Sequence, residues 1–148
     1  MTYFILIIIA IIIIFFYNAF KGGKDIQNVE KYGGLRYKYT ELIGYLMSNE
    51  KLILTVINSN NVEIGYNFIG NGYVRFKLIE FSKTLQVAYQ SKDNVNGIQN
   101  LLWKFGELED QKKMFDTISK DLIIHNLTLS GLSREEAITQ YFEMTKNN

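Results

Sequence analysis

The chain has 148 residues, a formal net charge of +1, and neither cysteine nor proline. A nearly neutral chain has no overall field that would attract nucleic acid, so we expect no nucleic-acid partner. The lack of cysteine excludes disulfides and thiol chemistry, and the lack of proline excludes proline-rich linkers. The abundance of Ile, Lys and Asn favours an AT-rich coding sequence of bacterial or phage origin.

Residues 3–20 form an almost uninterrupted apolar run that predicts a membrane-spanning helix. Eighteen residues at about 1.5 Å each reach roughly 27 Å, close to the roughly 30 Å of bilayer hydrocarbon. A cleaved signal peptide is the alternative, but no basic side chain precedes the run and its end is a poor cleavage site. We therefore predict an uncleaved single-pass signal anchor, with representative positions at Tyr3, Ile8, Ile13, Phe16 and Phe20.

Basic side chains follow the apolar run and set its predicted orientation. Lys21 and Lys24 come directly after it, whereas Met1 and Thr2 carry no basic side chain. By the positive-inside rule, the part of the chain after the span then lies in the cytoplasm. This predicts a protein of the plasma (inner) membrane that has the lipid bilayer as one partner.

Three segments follow from this interpretation. The transmembrane anchor covers residues 1–20, a juxtamembrane tether covers 21–39, and a soluble α+β domain covers 40–148. Two Gly-Gly pairs give the tether backbone freedom. Its tyrosines, Tyr39 among them, either rest on the membrane or pack on the domain, and packing is the commoner outcome. The domain is long enough for one hydrophobic core and too short for two.

Periodicity predicts the elements of this domain. A short helix is expected over 40–49, followed by four strands at 51–57, 62–69, 73–81 and 84–91 that are separated by hairpin-length turn signals. The fold class is therefore α+β, with an N-terminal transmembrane helix and a four-stranded antiparallel meander (helix-β-β-β-β-helix-helix). This order is similar to the layout of small secretion-chaperone-like domains, and that resemblance in topology implies a binding role.

Two helices are predicted after the meander. Residues 94–127 show apolar side chains at helical spacing, with a weak point at Gly106 that indicates a break or bend. The last helix has the clearest local signature, because Ser133 and Glu136 form a capping box. We expect this helix to end near Thr145.

The turn signals also predict strand registers. A two-residue turn at Ser82-Lys83 pairs Phe76 with Tyr89, and a three-residue loop at 70–72 pairs Tyr66 with Phe76. A loop at 58–61 places Ile57 opposite Val62. The first two registers turn the same side of the third strand toward the core, and the third register places Ile57 and Val62 on that same face of the sheet.

The other face of the predicted sheet carries polar residues together with a group of large apolar ones. Five of these apolar residues are the candidate partner-binding set: Leu52, Leu54, Val56, Ile79 and Phe81. Because a bare apolar surface of several hundred Å² is unusual on a monomer, either the protein's own helix or a protein partner covers them.

The sequence contains no recognisable catalytic or metal-binding constellation. His125 is the only histidine, so we expect no metal site and no cofactor. The leading hypothesis is a membrane-anchored protein-binding or adaptor module, with an accessory or immunity protein as a subclass. A structural subunit of an envelope complex is the first alternative. A membrane-proximal enzyme, in which His125 and carboxylates from distant segments meet in a pocket, is the other.

Overall fold

The computed structural model describes residue 31 and residues 33–146, which contain helices and a β-sheet. Two short helices come first, α1 (Leu35–Lys38) and α2 (Thr40–Leu46). Five strands follow: β1 (Ile53–Asn58), β2 (Asn61–Asn67), β3 (Tyr73–Phe81), β4 (Thr84–Asp93) and β5 (Gly97–Gly106). Two longer helices close the order, α3 (Gln111–Leu129) and α4 (Arg134–Lys146).

The strands form one antiparallel sheet in the order β1-β2-β3-β4-β5, so the predicted α+β class and antiparallel meander are confirmed. The prediction of four strands is wrong, because β5 occupies the first part of the segment predicted as helix. Leu101, Trp103 and Phe105 alternate along β5 and face the core, where they lie opposite Tyr89, Val87 and Leu85 of β4. Pairing along the whole of β4 therefore overrides the local helical spacing.

The hydrophobic core lies between one face of the sheet and the helices. Val62, Leu78 and Val87 are fully buried on that face, and Ile118 of α3 is fully buried against it. Tyr39 is also buried, so the end of the predicted tether packs on the domain, which is the commoner of the two predicted outcomes.

The register between β3 and β4 confirms the prediction residue by residue, with Phe76 opposite Tyr89. Ser82 and Lys83 both have positive φ, 50° and 63°, as in the two-residue turns that match strand twist. The register between β2 and β3 differs by two residues, since Tyr66 lies opposite Val74. The hairpin is centred on Gly70 rather than on Asn71, which shifts the pairing by two residues, and the Phe68 N–H donates to the Gly72 carbonyl at 2.7 Å.

The register between β1 and β2 corrects the prediction in a more consequential way. Asn58 lies opposite Asn61, which continues the predicted register, but Val56 then lies opposite Val62. A β-bulge at Ile57 inserts one residue into β1. A shift by one residue turns side chains to the other face, so residues 53–56, which precede the bulge, face the side opposite to the predicted one. The face predicted for β1 is therefore wrong.

The last helix begins as predicted. The Ser133 N–H donates to Glu136 Oε2 at 2.9 Å, and the Glu136 N–H donates to Ser133 Oγ at 3.3 Å. This reciprocal pair is the predicted capping box, and α4 ends one residue beyond Thr145.

Candidate interaction surface

The sheet has a second face that the described helices leave uncovered, called the outer face below. Its side chains are all at least partly exposed, whereas the core takes its strand residues from the opposite face only. The registers place on the outer face Ile53, Thr55, Glu63, Gly65, Tyr73, Arg75, Lys77, Ile79, Phe81, Gln86, Ala88, Gln90, Lys92, Ile98, Asn100, Leu102 and Lys104.

A hydrogen-bonded polar network occupies the centre of the outer face. The Tyr73 hydroxyl donates to Gln90 Oε1 at 3.0 Å, and Gln90 Nε2 donates to Asn100 Oδ1 at 3.0 Å. The Arg75 guanidinium lies 4.9 Å from the centre of the Tyr73 ring, and its Nε is 3.8 Å from Glu63 Oε1. These contacts link β2, β3, β4 and β5. They also hold these side chains in place before any partner binds, which lowers the conformational-entropy cost of binding.

Apolar side chains and an excess of positive charge surround this polar centre. Phe81 is 60% exposed and Leu102 is 58% exposed. The outer face carries four cations, Arg75, Lys77, Lys92 and Lys104, and the single anion Glu63, which gives a net charge of +3. A mixture of large apolar and polar groups is the composition of non-obligate protein interfaces, and the positive charge is complementary to an acidic surface.

The structure separates the five predicted partner-binding residues. Ile79 and Phe81 lie on the outer face, as predicted. Leu54 and Val56 lie on the core face, because the bulge at Ile57 reverses β1. Leu52 precedes β1 and packs against the core. The sequence predicts that either a helix of this protein or a protein partner covers these residues, and no described helix covers the outer face. The binding role of these residues stays a prediction.

The predicted membrane span lies outside the described residues. This applies to Tyr3, Ile8, Ile13, Phe16 and Phe20 of the span and to Lys21 and Lys24 of its flank. Among the helices of the described part, none combines the length and the apolar character needed to cross a bilayer. The anchor and its orientation therefore stay predictions.

His125 lies in a cleft of about 370 Å³ that is lined by β5, α3 and Arg134 at the start of α4. Trp103 Nε1 donates to Asp121 Oδ2 at 2.8 Å in this cleft. The His125 Nε2 atom is buried and has no hydrogen-bond partner among the described atoms. Asp121 comes from the preceding turn of the same helix, so the cleft does not show the convergence of distant carboxylates that the enzyme alternative requires.

A buried ion cluster joins three separate parts of the fold. Lys38 Nζ donates to Glu80 Oε1 at 2.6 Å and to Glu107 Oε1 at 2.8 Å. The side chains of Lys38 and Glu80 are only 9% and 2% exposed. Sequence reasoning missed this cluster because its members are 42 and 69 residues apart and no local pattern links them.

The cluster shifts the proton affinities of its members. Burial by itself lowers the pKa of Lys38, but the hydrogen bonds to Glu107 and Glu80 and the negative charges of both carboxylates together raise this pKa. The hydrogen bond from Lys38 lowers the pKa of Glu107. Burial, and next the negative charge of Glu80, raises the pKa of the Tyr39 hydroxyl well above its usual range.

These shifts predict the pH dependence of stability. The contribution of Glu107, whose pKa is depressed from 4.5, is present above that value and is lost as the pH falls through the folded pKa. The contribution of Lys38, whose pKa is raised from 10.5, is present below that value and is lost as the pH rises through the folded pKa. Urea unfolding at pH values from below 4.5 to above 10.5 measures the loss of stability at both the acid and the alkaline end. Glu107→Gln should flatten the acid limb, and an unchanged acid limb in this variant would contradict the assignment.

Sequence reasoning also missed the part of the outer face that β5 contributes, including Ile98 and Leu102. Ile98, Leu101, Leu102 and Phe105 are spaced as on one face of a helix, and this spacing predicts the helix over 94–127 rather than a strand. The alternation of Leu101, Trp103 and Phe105 between polar or exposed neighbours was the signal that could have indicated a strand.

The described residues were also compared with the ligand sets that metal ions require. No group of three or more His, Asp or Glu side chains in the described residues could hold a metal ion.

Comparison with protein-family models, curated proteins and solved structures gives no match.

Proposed function

We propose that the protein is a single-pass membrane protein whose cytoplasmic α+β domain binds another protein through the outer face of its sheet. It would act as an adaptor, with an accessory or immunity role as a subclass. The observation that carries this proposal is the uncovered outer face, where Phe81 and Leu102 expose more than half of their surfaces. Exposed apolar side chains grouped on one face and bordered by polar ones are typical of interaction surfaces.

Charge indicates the kind of partner. The net charge of +3 on the outer face contrasts with the +1 of the whole chain, so the positive charge is concentrated on the surface proposed to bind. A partner with an acidic surface would be attracted to this face, and the attraction would weaken as salt is added. The fixed polar centre of Tyr73, Gln90 and Asn100 would set the orientation of the partner.

The predicted anchor supports a role in localisation. Confinement to a membrane raises the effective concentration of the domain toward partners in the same membrane. The apolar run at residues 3–20 would thus determine where binding occurs, and the outer face would determine what binds.

Site-specific photo-crosslinking of the full-length chain in native membranes tests the proposal. A photoreactive phenylalanine analogue at Phe81 or Leu102 should give an adduct with one discrete partner. The matched control is Phe142 on α4, which is 49% exposed and lies beside Lys120 of α3. The same analogue at Ile98, which lies on the outer face and is 56% exposed, should give this adduct too. The Ile98 adduct should decrease with salt and in the double variant Phe81→Asp/Leu102→Asp, whose fold can be checked by circular dichroism.

Two results would contradict the proposed surface. The first is an identical set of adducts from Phe81, Leu102 and Phe142, since this would indicate non-specific collisions. The second is an Ile98 adduct that persists undiminished in the folded double variant. An adduct with lipid alone from Phe81 and Leu102 would instead identify the outer face as a membrane-facing surface and overturn the protein-binding proposal.

A further inference from the structure

The first strand of the sheet is an edge that no other strand of the described residues covers. β1 lies at one end of the strand order, and no described strand pairs with its free side. Natural proteins shield such edges with charged residues, proline or bulges. Here the only such device is the bulge at Ile57 next to the hairpin, and residues 52–56 are free of charge.

Apolar side chains are exposed on both faces of this edge. Ile53 on the outer face is 66% exposed, and Val56 on the core face is 50% exposed. Leu52 and Leu54 pack against the core but remain partly exposed at its margin. A strand added to the free side of β1 would cover side chains on both faces at once, whereas a helix could cover only one face.

The residues of β1 are complementary to the same residues running in the opposite direction. In an antiparallel pairing with Leu54 opposite Leu54 of another copy, Leu52 lies opposite Val56 on the core face. Ile53 then lies opposite Thr55 on the outer face. No two like charges meet, because Lys51 falls opposite Ile57 in this register. Such cross-strand apolar pairs stabilise a sheet.

We infer that the occupant of this edge is a second copy of the chain, bound by antiparallel pairing of β1 with β1. The contact is isologous, with a two-fold axis beside Leu54, and it converts two five-stranded sheets into one sheet of ten strands. Both outer faces then lie on the same side of the joined sheet. The inference is separate from the proposed partner, because pairing uses the backbone edge of β1 and leaves Phe81 and Leu102 uncovered.

Disulfide trapping tests the pairing, because the natural chain has no cysteine. The full-length Leu54→Cys variant in native membranes should be trapped as a dimer under oxidation. Its yield should exceed that of Leu102→Cys on β5 and Phe142→Cys on α4 by at least about tenfold, since only Cα atoms within roughly 4.4–6.8 Å of each other are bridged. Adding Thr55→Lys, an exposed edge position, should reduce the yield roughly tenfold, because a charge blocks strand addition. The circular dichroism spectrum of this variant should match that of the natural chain, which would show that the fold is kept.

Specific outcomes overturn the inference. Equal trapping at positions 54, 102 and 142 would indicate random collisions, and a trapped species with a different protein at position 54 would identify another occupant. Undiminished trapping in the Thr55→Lys background would exclude edge pairing. The double variant Phe81→Asp/Leu102→Asp separates the two proposals, since it should remove the partner adduct and leave trapping at position 54 intact.

Discussion

Replacing Lys38 with methionine should lower the free energy of unfolding by about 3–5 kcal/mol, the usual cost of removing one member of a buried ion pair. The variant leaves the Glu80 carboxylate, which is 2% exposed, without its cation. Among the described atoms, the Oε2 atom of Glu80 has no hydrogen-bond partner in the structure. Methionine retains the apolar length of the lysine stem, and the effect is therefore mainly electrostatic. Urea unfolding followed by the fluorescence of Trp103, the only tryptophan, measures it.

An exposed lysine provides the matched control. Lys112 pairs with Asp116 on the surface of α3, and both side chains are more than half exposed. Lys112→Met should change the free energy of unfolding by less than about 1 kcal/mol, as for other surface ion pairs. Adding Glu80→Gln to Lys38→Met should recover part of the lost stability, because no buried charge is left unpaired. Equal losses for Lys38→Met and Lys112→Met would show that the buried cluster does not stabilise the fold.

Replacing Trp103 with alanine should also lower the free energy of unfolding by about 3–5 kcal/mol, as for other large aromatic residues removed from a core. Trp103 is 8% exposed, and its indole N–H bonds Asp121 of α3. The substitution therefore leaves a cavity and removes a link between β5 and α3. Circular dichroism during urea unfolding is the suitable measurement, because the variant has no tryptophan fluorescence.

Leu102, the residue before Trp103, distinguishes a strand at this position from the helix predicted over 94–127. Leu102 points to the outer face and is 58% exposed, so Leu102→Ala should cost less than about 1 kcal/mol. In a helical segment Leu102 would belong to the buried stripe, and its substitution would be costly. A loss for Leu102→Ala equal to that for Trp103→Ala would contradict the placement of β5. Trp103→Phe should fall between them, since it keeps most of the ring volume and loses the N–H donor.

Local signals in the sequence predicted the fold correctly where a turn or a helix cap fixes the geometry of the neighbouring element. The Ser82-Lys83 turn joins β3 directly to β4, so its length set the register, and the Ser133-Glu136 capping box set the start of α4. The bulge at Ile57 has no such signal, because a β-branched residue there fits a regular strand equally well. One inserted residue was enough to move Leu54 and Val56 from the predicted face to the core.

The outer face was only partly predictable for a related reason. The polar side chains of β3 and β4, such as Arg75 and Gln90, showed their face by alternation. The contribution of β5 depends on pairing with β4, which is a tertiary contact that competes with helical spacing in the sequence. The cluster of Lys38, Glu80 and Glu107 depends on contacts across long sequence separations and could not be predicted from local pattern.

The position of the ion cluster determines how the domain would respond to a pulling force. Tension applied through residue 31 would first reach α1, where the Leu35 N–H donates to the Ser59 carbonyl at 2.6 Å. It would next reach Lys38, which is tied to both Glu80 and Glu107. Two of these attachments end on the sheet itself, because Ser59 lies in the turn between β1 and β2 and Glu80 lies on β3. A pull on residue 31 would therefore load the sheet at these two points directly, and not only through α2.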